Sequence, residues 1–165
     1  MRLARLLPLP PRAFRALAAA YRRQWKIDCY ATLPDGRVVL GKSGCRKDDV
    51  GDCRQVVAHA IQEALRWGEA TVEPCRGGRL VWAVPILQNR KLLGGIVASA
   101  PERRAVAAGP GRPPLDIRRA CADLRRLAED ANLTNADLLE LRRSEYLREQ
   151  KRAEAIHAFK QEPPY

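Results

Sequence analysis

The chain has 165 residues, 46% of them apolar, and carries 30 Lys and Arg against 19 Asp and Glu. This length allows one compact domain with an extension, and the apolar share allows a sizeable core. Most of the net charge of +11 lies in residues 1–104, which hold 19 basic and 9 acidic side chains. A basic surface attracts nucleic acid, anionic lipid or anionic ligands, but no recognition helix or aromatic-interleaved basic motif favours direct nucleic-acid binding.

The sequence also bears on membrane spans and targeting signals. No apolar stretch approaches the length of a membrane span, and Pro8, Pro10 and Pro11 interrupt the apolar part of the basic N-terminal segment. That interruption argues against a signal peptide. We therefore expect a cytoplasmic protein with no membrane partner. The five cysteines, an odd number in such a compartment, argue against a disulfide framework.

The first elements are a helix and a hairpin. Apolar residues at helical spacing predict a helix over 11–25. Two short apolar runs, 27–33 and 37–41, predict strands. Pro34-Asp35-Gly36 between them is a hairpin signal, because Gly readily adopts the positive φ that such turns require.

A second helix follows a polar loop over 42–52. An apolar stripe at helical spacing predicts this helix over 53–67, with Asp52 as N-cap and Gly68 at its end.

Three further apolar runs read as strands joined in a meander: Thr71–Pro74, Leu80–Leu87 and Leu92–Ser99, with turns at Cys75–Gly78 and Gln88–Lys91. The strands come in hairpins and do not alternate with helices. The order therefore predicts an α+β fold of PAS or GAF type, in which one antiparallel sheet is covered by helices on one side.

The remainder of the chain divides at a stretch rich in Pro and Gly. Residues 105–114 predict a linker between a ligand-sensing domain over 1–104 and a helical dimerisation or connector segment over 115–165. The final Pro163-Pro164-Tyr165 suggests a stop within a longer protein.

The helical segment keeps one heptad phase, which predicts a long C-terminal helix with the seam of a two-stranded coiled coil. The expected dimer seam consists of Ile117, Leu124, Leu127, Leu138 and Leu141. A break at Asn132–Asn135, with Thr134 and Asp137 as a capping pair, is the alternative to one helix. For 115–131, an amphipathic helix lying on the domain's own sheet is the alternative to a seam.

Three cysteines form the candidate site: Cys45 before the second helix, Cys53 in its first turn and Cys75 at a strand end. A helix N-terminus favours the thiolate, so a lowered pKa is expected for Cys53. With Cys29 as a fourth ligand, the three could hold zinc or an iron–sulfur cluster. A redox thiol site and plain packing are the alternatives. Trp82 either lines a ligand cavity or fills the core.

Catalytic patterns are missing from the sequence. There is no Ser/His/Asp arrangement, no phosphate-cradling loop and no paired-carboxylate helix, and the histidines are His59 and His157 alone. General acid–base catalysis therefore has few candidates, and we expect a protein that is not an enzyme.

The order Cys45…Cys53…Cys75-Arg-Gly-Gly…Ala83-Val-Pro-Ile86…Gly94-Gly-Ile-Val97 resembles the PocR sensory domain, a PAS/GAF-related family of bacterial signalling proteins. The chain departs from that family at Arg76, where the family often has His. The helical tail resembles the connector of AraC-type transcription regulators.

The resemblance implies a regulatory domain that senses a small organic effector between the sheet and the 42–67 loop and helix. Effector binding would change the geometry of a homodimer, and DNA would be bound only by a module absent from this chain. A cysteine-based metal or redox sensor is the first alternative, with zinc or iron–sulfur considered but not favoured. A dimerisation module without a ligand is the second.

Overall fold

A computed structural model describes residues 7–45, 50–106, 110–111 and 113–161, with side chains of the second helix described from Cys53 onward. In chain order the elements are α1 (Pro11–Trp25), β1 (Cys29–Thr32), β2 (Val38–Leu40), α2 (Val50–Trp67), β3 (Glu73–Pro74), β4 (Arg79–Gln88), β5 (Lys91–Pro101), a short 3-10 helix (Glu102–Ala105), α3 (Ile117–Asp130) and α4 (Ala136–Gln161). Among these, no helix is long and apolar enough to cross a bilayer.

The five strands form one open antiparallel sheet in the order β2-β1-β5-β4-β3, which confirms the predicted α+β class. The prediction of helices on one side only is wrong. Trp82 and Val84 pack with α1 and α3 on one face, whereas Val81 and Ala83 pack with α2 on the other. Successive residues of β4 are apolar and point to opposite faces, so both faces need a cover.

Turn chemistry fixes the hairpins. Gly36 has φ +89° and its N–H donates to the carbonyl of Leu33 over 3.0 Å, as the hairpin prediction requires. The β4–β5 turn is tighter than predicted, because both strands extend until only Asn89 and Arg90 remain between them. Asn89 takes the left-handed conformation with φ +56°, which Asn tolerates better than most residues.

The Gly94-Gly95 pair on β5 marks a close approach of backbone, as the sequence indicated. A Cβ on Gly94 would lie 2.0 Å from the carbonyl oxygen of Thr32, and one on Gly95 would lie 2.5 Å from the side chain of Ile61. These two positions let β1 and α2 lie directly on β5. Larger residues there would force the layers apart.

The second helix starts earlier than predicted. It is already formed at Val50, so Asp52 lies within the helix and is not its N-cap. The polar 46–52 segment has no apolar periodicity, and apolar periodicity alone could not reveal this first turn.

The C-terminal segment is two helices, and the prediction of one continuous helix is wrong. α3 ends at Asp130 and α4 begins at Ala136. Asn132 takes a left-handed φ of +58°, and the side chain of Asn135 accepts the N–H of Leu138 over 3.0 Å. Asn135 therefore caps α4, in place of the predicted Thr134, whose buried hydroxyl has no hydrogen-bond partner among the described residues.

The first of these helices shares the core of the sheet domain. Ala120, Leu124 and Ala128 on α3 are fully buried and pack in one cluster with Phe14 and Trp82. Predicted seam residue Leu124 is therefore a core residue of its own chain. Ile117 and Leu127 pack at the margin of the same cluster.

The other two seam residues lie on α4. Leu138 is buried with Leu87 and Leu139, whereas Leu141 is 48% exposed. Beyond Glu140 the helix still contacts the end of α2 at Gly68 and Trp67, but most of its side chains up to Gln161 are exposed.

Candidate functional site

The sulfur atoms of Cys45, Cys53 and Cys75 form a compact cluster in which all three lie within 4.8 Å of one another. Cys45 follows β2 in a loop and is half-buried, while Cys53 and Cys75 are buried. Cys45 and Cys53 form a disulfide and Cys75 is a free thiol. The sequence argued against a disulfide framework, whereas the structure contains one local disulfide with a third cysteine beside it.

Helix packing explains why Cys53 reaches the cluster. Cys53, Val57, Ala60 and Ile61 form the buried stripe of α2, which lies on Val81, Ala83 and Val97 of the sheet. The stripe turns Cys53 toward the end of β3, where Cys75 lies. This apolar contact positions the helix and thereby places Cys53 beside the other two cysteines.

A tight hairpin fixes Cys75. Its N–H donates to the carbonyl of Arg79 over 2.8 Å, and the N–H of Gly78 donates back to the carbonyl of Cys75 over 3.2 Å. Gly78 has φ +75°, a conformation that Gly adopts without strain. The same hairpin therefore holds the third thiol and the backbone of Arg79.

Tyr30 lies under the cluster in the core formed by Cys53 and Cys75. Its buried hydroxyl has no hydrogen bond of acceptable geometry to the described residues. Burial raises the pKa of Tyr30 to about 12, although Ser43 and Arg79 are near enough to act against that rise. Within the described part of the chain, the Tyr30 hydroxyl is therefore a buried polar atom without a well-oriented partner, beside the sulfur atoms.

Cys29 does not join the cluster. It belongs to the core on the opposite face of the sheet, because its neighbour Tyr30 faces the cysteine cluster and side chains alternate along a strand. Burial, with a smaller contribution from Asp28, raises the pKa of the Cys29 thiol far above its ordinary value. The structure therefore does not bring Cys29 to the other three as a fourth metal ligand.

Trp82 also lies on that opposite face and is fully buried. Its indole N–H donates to the hydroxyl of Tyr21 over 3.1 Å, and this hydroxyl donates to the carbonyl of Ala120 over 2.8 Å. The chain of hydrogen bonds joins β4, α1 and α3. Trp82 is therefore a core residue, and the structure does not place it beside the cysteines.

The two histidines lie at the surface. His59 contacts Glu73 at 3.0 Å and Glu63 at 3.6 Å, and His157 contacts Gln161 on the exposed part of α4. Neither is among the three ligand-bearing residues of the cluster.

Two cavities are lined in part by residues of the sheet. A cleft of about 850 Å³ opens between the ends of α2, α3 and α4, with Ala83, Pro85 and Cys121 among its lining residues. A smaller recess of about 210 Å³ is lined by Lys42, Ser43, Gly44, Arg79 and further residues. The smaller one adjoins the cysteine cluster, because Gly44 precedes Cys45 and Arg79 pairs with Cys75.

The predicted site was incomplete in its polar residues. Sequence reasoning found the three cysteines but missed Tyr30, Ser43 and Arg79. Cys75-Arg-Gly-Gly-Arg79 was a usable signal for Arg79, because a Gly-Gly turn of that length pairs its two ends. The approach of Ser43 and Tyr30 depends on loop placement, which has no local signal.

In comparison with known proteins, the chain matches no family model and no curated protein. The resemblance to the PocR sensory domain therefore stays a prediction that depends on the residues quoted above. The fold agrees with it only at the level of an antiparallel sheet covered by helices.

Proposed function

We propose that this chain is a sensory domain that receives its signal at the Cys45–Cys53–Cys75 cluster and belongs to a bacterial transcription regulator. The observation that carries the proposal is the convergence of three sulfur atoms within 4.8 Å from a loop, a helix and a strand end. Buried cysteines that only pack need not meet. Here three separate elements bring their thiols to one point.

The chemistry proposed is reversible oxidation of Cys45 and Cys53. The two thiols together lose two protons and two electrons as the bond between Cys45 and Cys53 forms. A low-molecular-weight disulfide accepts these protons and electrons, its own sulfur–sulfur bond breaks, and it becomes two thiols. In a reducing compartment such a bond is transient and suits signalling better than structure. Cys75 lies near enough to attack the bond, so that a thiolate of the pair leaves as a new disulfide forms.

The part that responds is the loop carrying Cys45. The disulfide ties this half-buried residue to Cys53 on α2, and α2 in turn lies on the sheet. Reduction releases the loop while α2 keeps its apolar contacts. The two states therefore differ in the position of the 41–45 segment, on which a signal to another module can act.

The regulator context comes from resemblance. The PocR-like order of cysteines and strands, and the AraC-like helical tail, support a homodimer whose DNA-binding module lies outside this chain. The exposed length of α4 after Glu140 is compatible with a connector to such a module. A small-molecule effector stays part of this proposal.

A metal sensor is the second candidate, favoured by the number and type of the ligands. In a tetrahedral zinc site with zinc–sulfur bonds of about 2.3 Å, sulfur atoms lie about 3.8 Å apart, which the cluster accommodates. Three reduced thiolates would supply three ligands, and the fourth position would be open to water or an added ligand.

A redox titration of the full chain in glutathione buffers, with thiols counted by alkylation and mass spectrometry, tests the proposal. We expect one disulfide between Cys45 and Cys53, with a midpoint above about −300 mV, the value below which structural disulfides lie. Cys121→Ala, on the other side of the sheet, should leave the midpoint unchanged.

Two outcomes would contradict the redox function. A midpoint well below −300 mV would make the disulfide a structural one. One equivalent of zinc on the reduced chain in native mass spectrometry, lost in Cys75→Ser, would favour the metal sensor.

A further inference from the structure

A basic recess lies beside the loop that carries Cys45. Its lining residues include the cations Lys26, Lys42, Arg79 and Arg104, together with Ser43 and Ser99. The recess has a volume of about 210 Å³, which is the share of about seven water molecules. Its size fits a small ligand or a single charged group.

Arg79 lines this recess and is held in place by two hydrogen bonds to Ser99. Its Nε donates to the hydroxyl of Ser99 over 3.1 Å, and its Nη2 donates to the carbonyl of Ser99 over 3.0 Å. Ser99 is itself buried, with an exposed fraction of 5%. A guanidinium has five N–H donors, and those of Arg79 that have no partner among the described residues can bind a carboxylate or a phosphate in a fixed direction.

The cations of the recess have no carboxylate partner among the described residues. Lys26 donates to a backbone carbonyl, as does Arg104. The acidic lining residue, Asp28, pairs with Arg22 at 3.4 Å. With four cations against this one carboxylate, the lining of the recess carries a net positive charge, and the long-range field of the basic domain favours the approach of an anion.

We propose that this recess binds a small oxyanion with two negative charges, a phosphate or a dicarboxylate. Arg79 would contact the oxyanion with its free N–H donors, and Lys42 and Ser43 would close over it from the loop. The inference rests on the proposed sensory function and deepens it, since it names the class of effector, while the charged side chains that line the recess are present in both oxidation states of the cysteines.

Calorimetric titration of the oxidised full chain with inorganic phosphate and with succinate tests this site. Ionic strength is held constant with chloride, because exposed charges are screened by salt. We expect saturable binding of at least one of the two at one site per chain. Preference for phosphate identifies a phosphorylated ligand, and preference for succinate identifies a dicarboxylate; saturation by neither overturns the proposal.

A matched pair of lysine variants separates the site from the general field. Lys42→Ala removes a cation of the recess, and Lys91→Ala removes an exposed cation at the start of β5, outside it. Both lower the net charge equally. We expect at least fivefold weaker binding for Lys42→Ala and less than a twofold change for Lys91→Ala. Equal effects would mean attraction to the surface at large and would overturn the site.

Gly44→Ala probes Arg79 without removing a charge. A Cβ on Gly44 would lie 2.8 Å from the guanidinium of Arg79, so the end of that flexible side chain has to move while the backbone keeps its fold. We expect severalfold weaker anion binding with an unchanged unfolding midpoint. For the unmodified chain, a redox midpoint above about −300 mV without binding of either anion contradicts the recess alone, and saturable anion binding with a midpoint well below about −300 mV contradicts the cysteine sensor alone.

Discussion

Two buried tyrosines show that a hydroxyl stabilises or destabilises a core according to whether it has hydrogen-bond partners. Tyr21 donates to the carbonyl of Ala120 and accepts from Trp82, so its polar atom is fully used. Tyr30, which is 1% exposed, has a buried hydroxyl for which the described residues offer no well-oriented hydrogen-bond partner. A buried polar group loses its hydration on folding and recovers that loss only through hydrogen bonds.

The same substitution should therefore have opposite effects at the two positions. Tyr21→Phe should lower the free energy of unfolding by about 1–3 kcal/mol, because the indole N–H of Trp82 loses its acceptor. Tyr30→Phe should leave it unchanged or raise it by up to about 1 kcal/mol, since an unpaired hydroxyl is removed. Urea denaturation at pH 7 measures both. A loss above 1 kcal/mol in Tyr30→Phe would mean that its hydroxyl has a partner.

At the residue scale, sequence reasoning succeeded where positions were local and was limited where strand register mattered. Cys45, Cys53 and Cys75 were found from their order along the chain. Cys29 and Trp82 were assigned to the same site, but both pair with Ala98 of β5 and so lie on the opposite face from the cluster. Register depends on contacts far apart in sequence, which a single chain does not display.

The break between α3 and α4 carries the main lesson at the scale of elements. An unbroken heptad phase through 131–135 hid the break, because the spacing of apolar residues is the same for a seam and for a core face. The deciding features were local and polar: the left-handed Asn132 and the cap formed by Asn135. The five strands and α1, in contrast, had apolar runs with clear turn residues at their ends.

Leu124 and Leu141 distinguish a core helix from a dimer seam. Leu124 is fully buried within its own chain, so Leu124→Ala should lower the free energy of unfolding by about 2–5 kcal/mol. Leu141, at 48% exposure, should change it by less than about 0.5 kcal/mol when replaced by Ala.

Urea unfolding at two protein concentrations tenfold apart provides the check. The loss in Leu124→Ala should be the same at both concentrations, because the contacts lie within one chain. A loss that depends on concentration would show that Leu124 stabilises a dimer, as the coiled-coil interpretation required.

At the scale of the whole molecule, one short loop connects the cysteine cluster to the basic recess. Lys42, Ser43 and Gly44 line the recess, and the next residue, Cys45, is tied to α2 by the disulfide. The bond fixes the loop at one end, while β2 fixes it at the other. Oxidation therefore limits the positions open to the groups that would close over an anion.

We expect the oxidised chain to bind the anion at least fivefold more tightly than the reduced chain, because a freed loop has to be ordered again on binding. Titration of phosphate or succinate into both forms at constant ionic strength measures this ratio. Cys45→Ser should bind like the reduced form under all conditions, and Cys121→Ala should behave like the unmodified chain.

Thermodynamic reciprocity supplies an independent check of the same coupling. If oxidation strengthens anion binding by a given factor, a saturating anion must favour the disulfide by that factor, and a fivefold ratio shifts the midpoint of this two-electron couple by about 20 mV. A redox titration with and without the anion should show that shift toward more negative potential. Equal affinities in both redox states, together with an unmoved midpoint, would mean that the two sites occupy one loop without sharing a signal.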